Sequence, residues 1–362
     1  MVIQPNQFIK KLEAYKVTPQ EPWLSDNDDF LKLDWNEGSE PPDFLKNLII
    51  HLLKKPKYWS WYPDYNSQKL NLEISKRNSM SDLQHLTFPG SDVALDTICR
   101  TFISPRDPVY VLLPTYTNFF TFAESCGADI NKIFLEKPYI FNADLLLSHI
   151  PTNKAKLIYL VSPNNPCGYE ISKQDLMKIC RIYKNSLIIC DQAYVEFSIK
   201  SDLKELINIF DNLIITRTFS KAYSLAGIRI GYCIGQHSLL KEIQKIRNGK
   251  NITMLSQEVA LACLKNNNWL ENRVLMIRNE KEILYSEFIN LGITFYKSSG
   301  NFVLFEPKEP NQILSELKAN GIFIRDQIKA TKGGLRVTIT SKSANRKFIN
   351  ILKKIYKKKN NT

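Results

Sequence analysis

The chain has 362 residues and a formal net charge of +13, from 49 Lys plus Arg against 36 Asp plus Glu, and that length suffices for a large sheet domain with a smaller companion. No apolar run approaches the ~20 residues that a bilayer span needs, and Met1–Lys10 lack the apolar core of a signal peptide, so a cytoplasmic protein with no membrane partner is expected. Seven scattered cysteines without a Cys-x-x-Cys pair, and four histidines in all, argue against a disulfide framework or a metal site; Cys190 and Cys233 fall in apolar strands and read as small core residues of a reducing compartment.

In chain order, residues 1–40 read as an arm leading into a small domain and end in Leu33-Asp-Trp-Asn36-Glu-Gly38-Ser39. Residues 41–255 then alternate strand and helix. Trp61-Tyr62-Pro-Asp comes first, followed by a glycine turn at Gly90 that opens a helical pattern. The backbone N–H groups of Ser91 and Asp92 lie in its first turn, where the helix dipole favours an anion. Strands are expected near 108–113, 128–135, 157–161, 186–191, 212–218 and 228–234. The first leads to Pro114-Thr-Tyr116, the third to Asn164-Asn165-Pro-Cys-Gly168, the fourth to Asp191 with Tyr194 three residues on. The fifth runs into Ser220-Lys221, and Ala226-Gly-Ile-Arg229-Ile-Gly231 follows. A lysine leaving a buried strand is an expensive place for a permanent charge; burial lowers its pKa and makes the amine a usable nucleophile toward carbonyls. Such alternation implies a mostly parallel sheet with helices on both faces, and polar residues at the carboxyl ends of its strands mark the ligand crevice of an open α/β sheet.

Residues 256–362 read as a linking helix (roughly 255–290) and a C-terminal small domain. Strands are expected at Phe302–Phe305 and Leu335–Ile339, with Gly321-Ile-Phe-Ile-Arg325-Asp326 upstream of Arg336, and a last helix over 343–357. Its closing lysines, Lys353 to Lys359, complement the helix dipole. The positive charge is spread along the chain without a basic-plus-aromatic stacking motif, so nucleic acid is not expected as a partner.

Taken singly, these residues have commoner roles: Lys221 as a surface lysine, Asp191 as a cap, Asn165-Pro166 as a turn, Arg229 as an ion-pair partner. Taken in order, the Asn-Asn-Pro-x-Gly turn, Asp-x-x-Tyr, Thr-x-Ser-Lys and Ala-Gly-x-Arg-x-Gly resemble the fold-type I aminotransferases that use pyridoxal phosphate. Within that group the chain is similar to the histidinol-phosphate aminotransferase family, from about Asn36 to Arg336. The resemblance implies an α/β fold with a seven-stranded-type, mostly parallel sheet and a smaller α+β domain. It implies that Lys221 holds pyridoxal 5'-phosphate covalently and moves the proton, and that Asp191 faces the pyridine nitrogen. Tyr194 and Asn165 would bond the ring's 3′ oxygen, and Tyr116 would stack on the ring. Ser91, Asp92, Ser220 and Arg229 would hold the phosphate, with Tyr62 reaching across a homodimer interface to the neighbour's phosphate.

For the substrate, the resemblance assigns Arg336 to an amino-acid carboxylate and Arg325 to a substrate phosphate, since a planar guanidinium suits both anions; a local pairing of Arg325 with Asp326 is the rival reading. Asn36 and Asn165 border the same pocket. Together these imply amino transfer from glutamate to a small, phosphorylated keto acceptor. Gly38 and Ser39 depart from the family's Asn-Pro-x-Gly, and Val93 stands where an acidic residue is usual. Those departures leave histidinol phosphate and a smaller ketone of the dihydroxyacetone phosphate type both open. The alternative reaction is decarboxylation of a phosphorylated amino acid such as phosphoserine or phosphothreonine. A regulator that lost catalysis is disfavoured, because Lys221 and Asp191 are both present and no DNA-binding module is added.

Overall fold

Apolar, β-branched runs between residues 85 and 235 dictate one large sheet, and shorter runs at either end of the chain dictate a second. The computed structural model describes residues 3–13, 30–199 and 202–360; of the expected arm, residues 1–2 and 14–29 lie outside the described residues. The strands are β1 (Leu31–Leu33), β2 (His85–Phe88), β3 (Pro108–Leu113), β4 (Asp129–Phe134), β5 (Leu157–Val161), β6 (Leu187–Asp191), β7 (Leu213–Thr218), β8 (Gly231–Gly235), β9 (Thr294–Tyr296), β10 (Phe302–Glu306), β11 (Ile322–Gln327) and β12 (Gly334–Thr338).

The large sheet has the order β2-β8-β7-β6-β5-β3-β4. Only β8 runs against its neighbours, so the sheet is mostly parallel, as expected. Strands β5, β6 and β7 are buried at every residue. Alternate side chains enter separate cores: Ile158, Leu160, Ile188 and Ile215 on one side, Tyr159, Val161, Ile189 and Ile214 on the other. Burial on both faces is why these strands open on continuous apolar runs rather than on alternating ones.

The second sheet has the order β1-β11-β12-β10-β9. Its β1 is parallel to β11, and its other pairs are antiparallel. Strand β1 brings the segment after it, residues 34–39, over the end of the large sheet's β7.

The structure differs from the sequence reading in three local ways. The expected 255–290 helix is two helices, Met254–Leu264 and Asn267–Asn290. Three consecutive asparagines begin at Asn266, and the Asn266 side chain donates to Ala262 O at 2.7 Å, closing the first helix with an amide that competes for its backbone. The strand expected from residue 228 starts at Gly231, because Ala226–Ile228 forms a 3₁₀ turn and Arg229 takes φ 55°. Short strands β1, β2, β9 and β11 carried no clear period in the sequence. Among the described residues no helix is long and apolar enough to cross a membrane.

Candidate active site

A cavity of about 590 Å³ opens where β5, β6 and β7 end and the second sheet approaches. Its floor is Asp191. The β6–β7 register sets Asp191 beside Thr216, so the Thr216 hydroxyl reaches Asp191 Oδ1 at 3.0 Å. Ala193 N donates to the same oxygen at 3.2 Å, and the Tyr159 hydroxyl donates to Oδ2 at 3.1 Å. Tyr159 is itself held by stacking on Phe119, with ring centroids 3.9 Å apart. Burial pushes the Asp191 carboxyl up to about 6, against the pull of these three hydrogen bonds. A buried carboxylate of this kind favours a cation placed over it.

Beyond β7 the chain doubles back through Thr218, whose Oγ1 donates to Ser220 Oγ at 3.0 Å and accepts from Ser220 N at 3.1 Å. That turn points Lys221 into the cavity, where its Nζ donates to Trp35 O at 2.8 Å. Burial first, and then Arg336, lowers the Lys221 amine to about 8, with Glu37 and Asp92 opposing. At neutral pH a useful fraction is therefore the free base. Tyr194 lies 5.9 Å from the amine, measured to the ring centre. Its hydroxyl accepts from Asn36 Nδ2 at 2.9 Å, and its ring meets Phe302 edge-on at 5.0 Å. Burial pushes that phenol up to about 12, so it stays protonated. Asn36 adopts φ 55° and is pinned by its own N–H to Thr338 Oγ1 (3.0 Å) and by Asn301 Nδ2 on its carbonyl (3.1 Å).

One end of the cavity is a cup for an anion. Gly90, at φ 86°, opens the Ser91–Phe102 helix. A Cβ on Gly90 would stand 2.5 Å from Arg229 Nη2, and one on Gly231 would stand 2.5 Å from Ser91 N. Both glycines thus let the guanidinium and the helix N-terminus converge. Arg229 is steadied by Ala226 O at 3.2 Å and lies 4.0 Å from Asp92. Asp92 in turn accepts from the Tyr116 hydroxyl at 2.9 Å, which holds that ring at the cavity wall. Hydroxyls, a guanidinium and free helix-end N–H groups make a donor set suited to phosphate. With a buried carboxylate and a lowered lysine amine alongside, the residues fit the cofactor that the sequence motifs imply.

At the other end stand two arginines. Register places Arg325 of β11 directly across from Arg336 of β12. Arg336 is buried; it donates to Asn165 Oδ1 and to Asp34 O, and lies over the Phe302 ring at 5.5 Å. Asn165 is presented by a turn that Gly168 N closes on Asn164 O at 2.9 Å. Gly168 has φ 83°, and any Cβ there would sit 2.6 Å from Ser298 Cα. Asp326 accepts from Ile328 N at 2.8 Å, starting the short turn between the two strands.

Asn36, Ser91, Asp92, Tyr116, Asn165, Asp191, Tyr194, Ser220, Lys221, Arg229, Arg325 and Arg336 all line this one cavity. Tyr62 does not: it is 79% exposed, with Lys250 Nζ over its ring at 4.3 Å. Sequence reasoning missed Trp35 in the wall, gave Glu37 only as a family match with no role, and missed Thr216 and Tyr159 under Asp191. Trp35 and Glu37 flank Asn36 and were within reach of a local reading. Thr216 and Tyr159 carry no local signal, since their role depends on which strands lie next to β6.

A family model described as aminotransferase class I and II matches residues 32–352. The chain is 32% identical over 329 residues to a histidinol-phosphate aminotransferase of Thermoanaerobacter pseudethanolicus, covering 90% of this chain and 92% of that one. It is 33% identical over 354 residues to a dihydroxyacetone phosphate transaminase of Campylobacter jejuni, covering 94% of each. In structure it superposes on the histidinol-phosphate aminotransferase of Sinorhizobium meliloti, solved with pyridoxal-5'-phosphate, at a TM-score of 0.89 and 22% identity, covering 99% of both chains.

Proposed function

The chain belongs to the class I and II aminotransferases and is a pyridoxal-phosphate-dependent enzyme, and from that premise we propose that it moves the amino group of glutamate to a small phosphorylated keto acceptor. The observation that carries this reading is the arginine pair. Like charges directly opposite on neighbouring strands repel, and Arg325 and Arg336 do so on the wall of the cavity that holds Lys221. Anions on the substrate offset that cost: a carboxylate at Arg336, a phosphate at Arg325. The two relatives named above are both transaminases of phosphorylated compounds, which supports the same substrate class. A histidinol-phosphate-like acceptor and a ketone of the dihydroxyacetone phosphate type both match it.

In this reading Lys221 holds the cofactor and carries the proton at the substrate's Cα, its lowered amine being able to take a proton near neutral pH. When bound, the cofactor supplies an electron sink beside that carbon. Asp191 would face the ring nitrogen. Tyr194 and Asn165 orient the ring oxygen, and Tyr116 covers the ring face. Ser220, Arg229 and the backbone of Ser91 and Asp92 receive the phosphate. A homodimer completes the site through the partner's copy of Tyr62: Trp59, Trp61 and Tyr62 are 70, 71 and 79% exposed, an apolar surface of the kind that marks an interface. The same reading takes residues 41–255 as the cofactor-binding domain, with 256–362 as linking helix and small domain. Seven free cysteines, all but Cys126 buried, suit a cytoplasmic location.

Arg325→Gln is the test. The half-reaction, 2-oxoglutarate released from glutamate alone, should be unchanged. The KM for a phosphorylated acceptor should rise about 10- to 100-fold, the cost of a lost charge-assisted hydrogen bond. Equal effects on donor and acceptor, or none on either, would remove the phosphate assignment. Silence toward glutamate, with carbon dioxide released from phosphoserine or phosphothreonine, would instead establish a decarboxylase.

A further inference from the structure

Three consecutive carbonyls after β1 serve the active site. Asp34 O accepts from Arg336, Trp35 O from Lys221 at 2.8 Å, and Asn36 O from Asn301 at 3.1 Å. What holds this irregular segment at its far end is Arg273 of the Asn267–Asn290 helix, whose Nη1 donates to Ser39 Oγ at 2.8 Å. Between them Gly38 is wedged: a Cβ there would stand 1.9 Å from Ser224 Oγ and 2.4 Å from Arg273 Nη2. Ser224 closes the turn that starts at the reactive lysine, its N–H donating to Lys221 O at 3.1 Å. So the segment is pressed between the lysine's own turn and a buried guanidinium, and only glycine fits at the contact.

Arg273 is a costly residue in this place. It is 8% exposed and lies over the Trp269 ring at 5.8 Å. Neither its Nε nor the Ser224 hydroxyl has a hydrogen-bond partner among the described residues. A cation buried with so few acceptors destabilises the fold, and a purely structural residue here would be better served by an apolar side chain of similar volume. A function offsets the cost. We propose that Arg273 is a positioning residue for Lys221: by clamping Gly38 and Ser39 against the Lys221–Ser224 turn it keeps the Trp35 carbonyl on the amine and water away from it. The proposal rests on the reading of Lys221 as the amine that carries the cofactor. It also gives the departure at Gly38 and Ser39 a physical cause, since the serine supplies Arg273's acceptor and the glycine supplies its clearance.

The amine is faced by Arg336, Glu37, Asp92 and Lys32, with the Tyr194 ring at 5.9 Å. None of these is altered by changing residues 38, 39 or 224, so in those variants the behaviour of Lys221 reports on the wall alone, whereas Arg273→Gln also removes a buried cation. The full-length chain, stripped of cofactor, is labelled with acetic anhydride across a pH series, and Lys221 is followed by peptide mass spectrometry. Wild type should show a midpoint near 8. In Ser39→Ala and Arg273→Gln the wall loosens, water reaches the amine and the midpoint should rise by about one pH unit. Gly38→Ala should behave alike, since its Cβ would press on both Ser224 and Arg273. Lowered thermal stability with an unmoved Lys221 midpoint in both Ser39→Ala and Arg273→Gln would overturn the proposal. Ser39→Ala removes one hydroxyl and keeps the test valid if Arg273→Gln does not fold. A wild-type midpoint near that of an ordinary lysine would remove the premise about Lys221 and the proposal with it, and is recognised because it needs no variant.

Discussion

Asp191 shows how one residue's chemistry is set by its place. Its carboxyl is raised from 3.8 to about 6, and burial is the largest cause. A raised value in the folded chain means that stability from this group is full below pH 3.8 and is lost as pH rises through about 6. In the cofactor-free protein the loss amounts to about 3 kcal/mol. In the proposed function a positive ring nitrogen facing the carboxylate would offset it, and the same strain would then favour cofactor binding. Asp191→Asn should therefore flatten the urea-unfolding stability of the cofactor-free chain between pH 4 and 7, while turnover falls by about 100-fold or more. Identical pH slopes in the two proteins would show that Asp191 is not the strained group. The residue type was readable from Asp-x-x-Tyr. Its strain was not, because the strain comes from burial between flanking strands, which outweighs the hydrogen bonds that Tyr159 and Thr216 give in relief.

Among the elements, those that carry the site were also the most readable. Strands β5, β6 and β7 are buried throughout and open on apolar runs, and each leads into a polar signal. The edges were not: β1 and β9 have three residues each, too few to show a period. The Gly90 turn joins strand β2 to the anion cup, and its φ of 86° already excludes most side chains. A Cβ would also displace Arg229. Gly90→Ala should lower stability by about 1–2 kcal/mol and speed loss of cofactor on dialysis, with activity recovered by excess pyridoxal phosphate. Cofactor retention equal to wild type would separate this turn from the phosphate site.

For the whole molecule the question is whether one chain makes a complete site. Tyr62 lies outside the cavity of its own chain, which is what a residue donated to a symmetry-related neighbour requires. Mixing two inactive proteins decides it. A Lys221→Ala chain keeps Tyr62, and a Tyr62→Ala chain keeps Lys221, so a mixed dimer has one intact site of two. Refolded together at equal amounts, they should recover about a quarter of wild-type activity, since half of randomly paired dimers are mixed. No recovery, with mixed dimers demonstrated by mass, would place Tyr62 outside the partner's site.

The sequence by itself determined the α/β class and the cofactor, and it named a set of residues of which all but Tyr62 line one cavity. Strand ends and turns are short-range features, and Lys221, Asp191, Asn165 and Arg229 sit within a few residues of the elements that aim them. Only the tertiary structure decided the opposition of Arg325 to Arg336, the bed of Tyr159 and Thr216 under Asp191, and the grip of Arg273 on Gly38 and Ser39. Each of these joins residues brought together by strand order, register or helix docking. Those contacts are long-range, and no local pattern in the chain encodes which distant segment will be its neighbour.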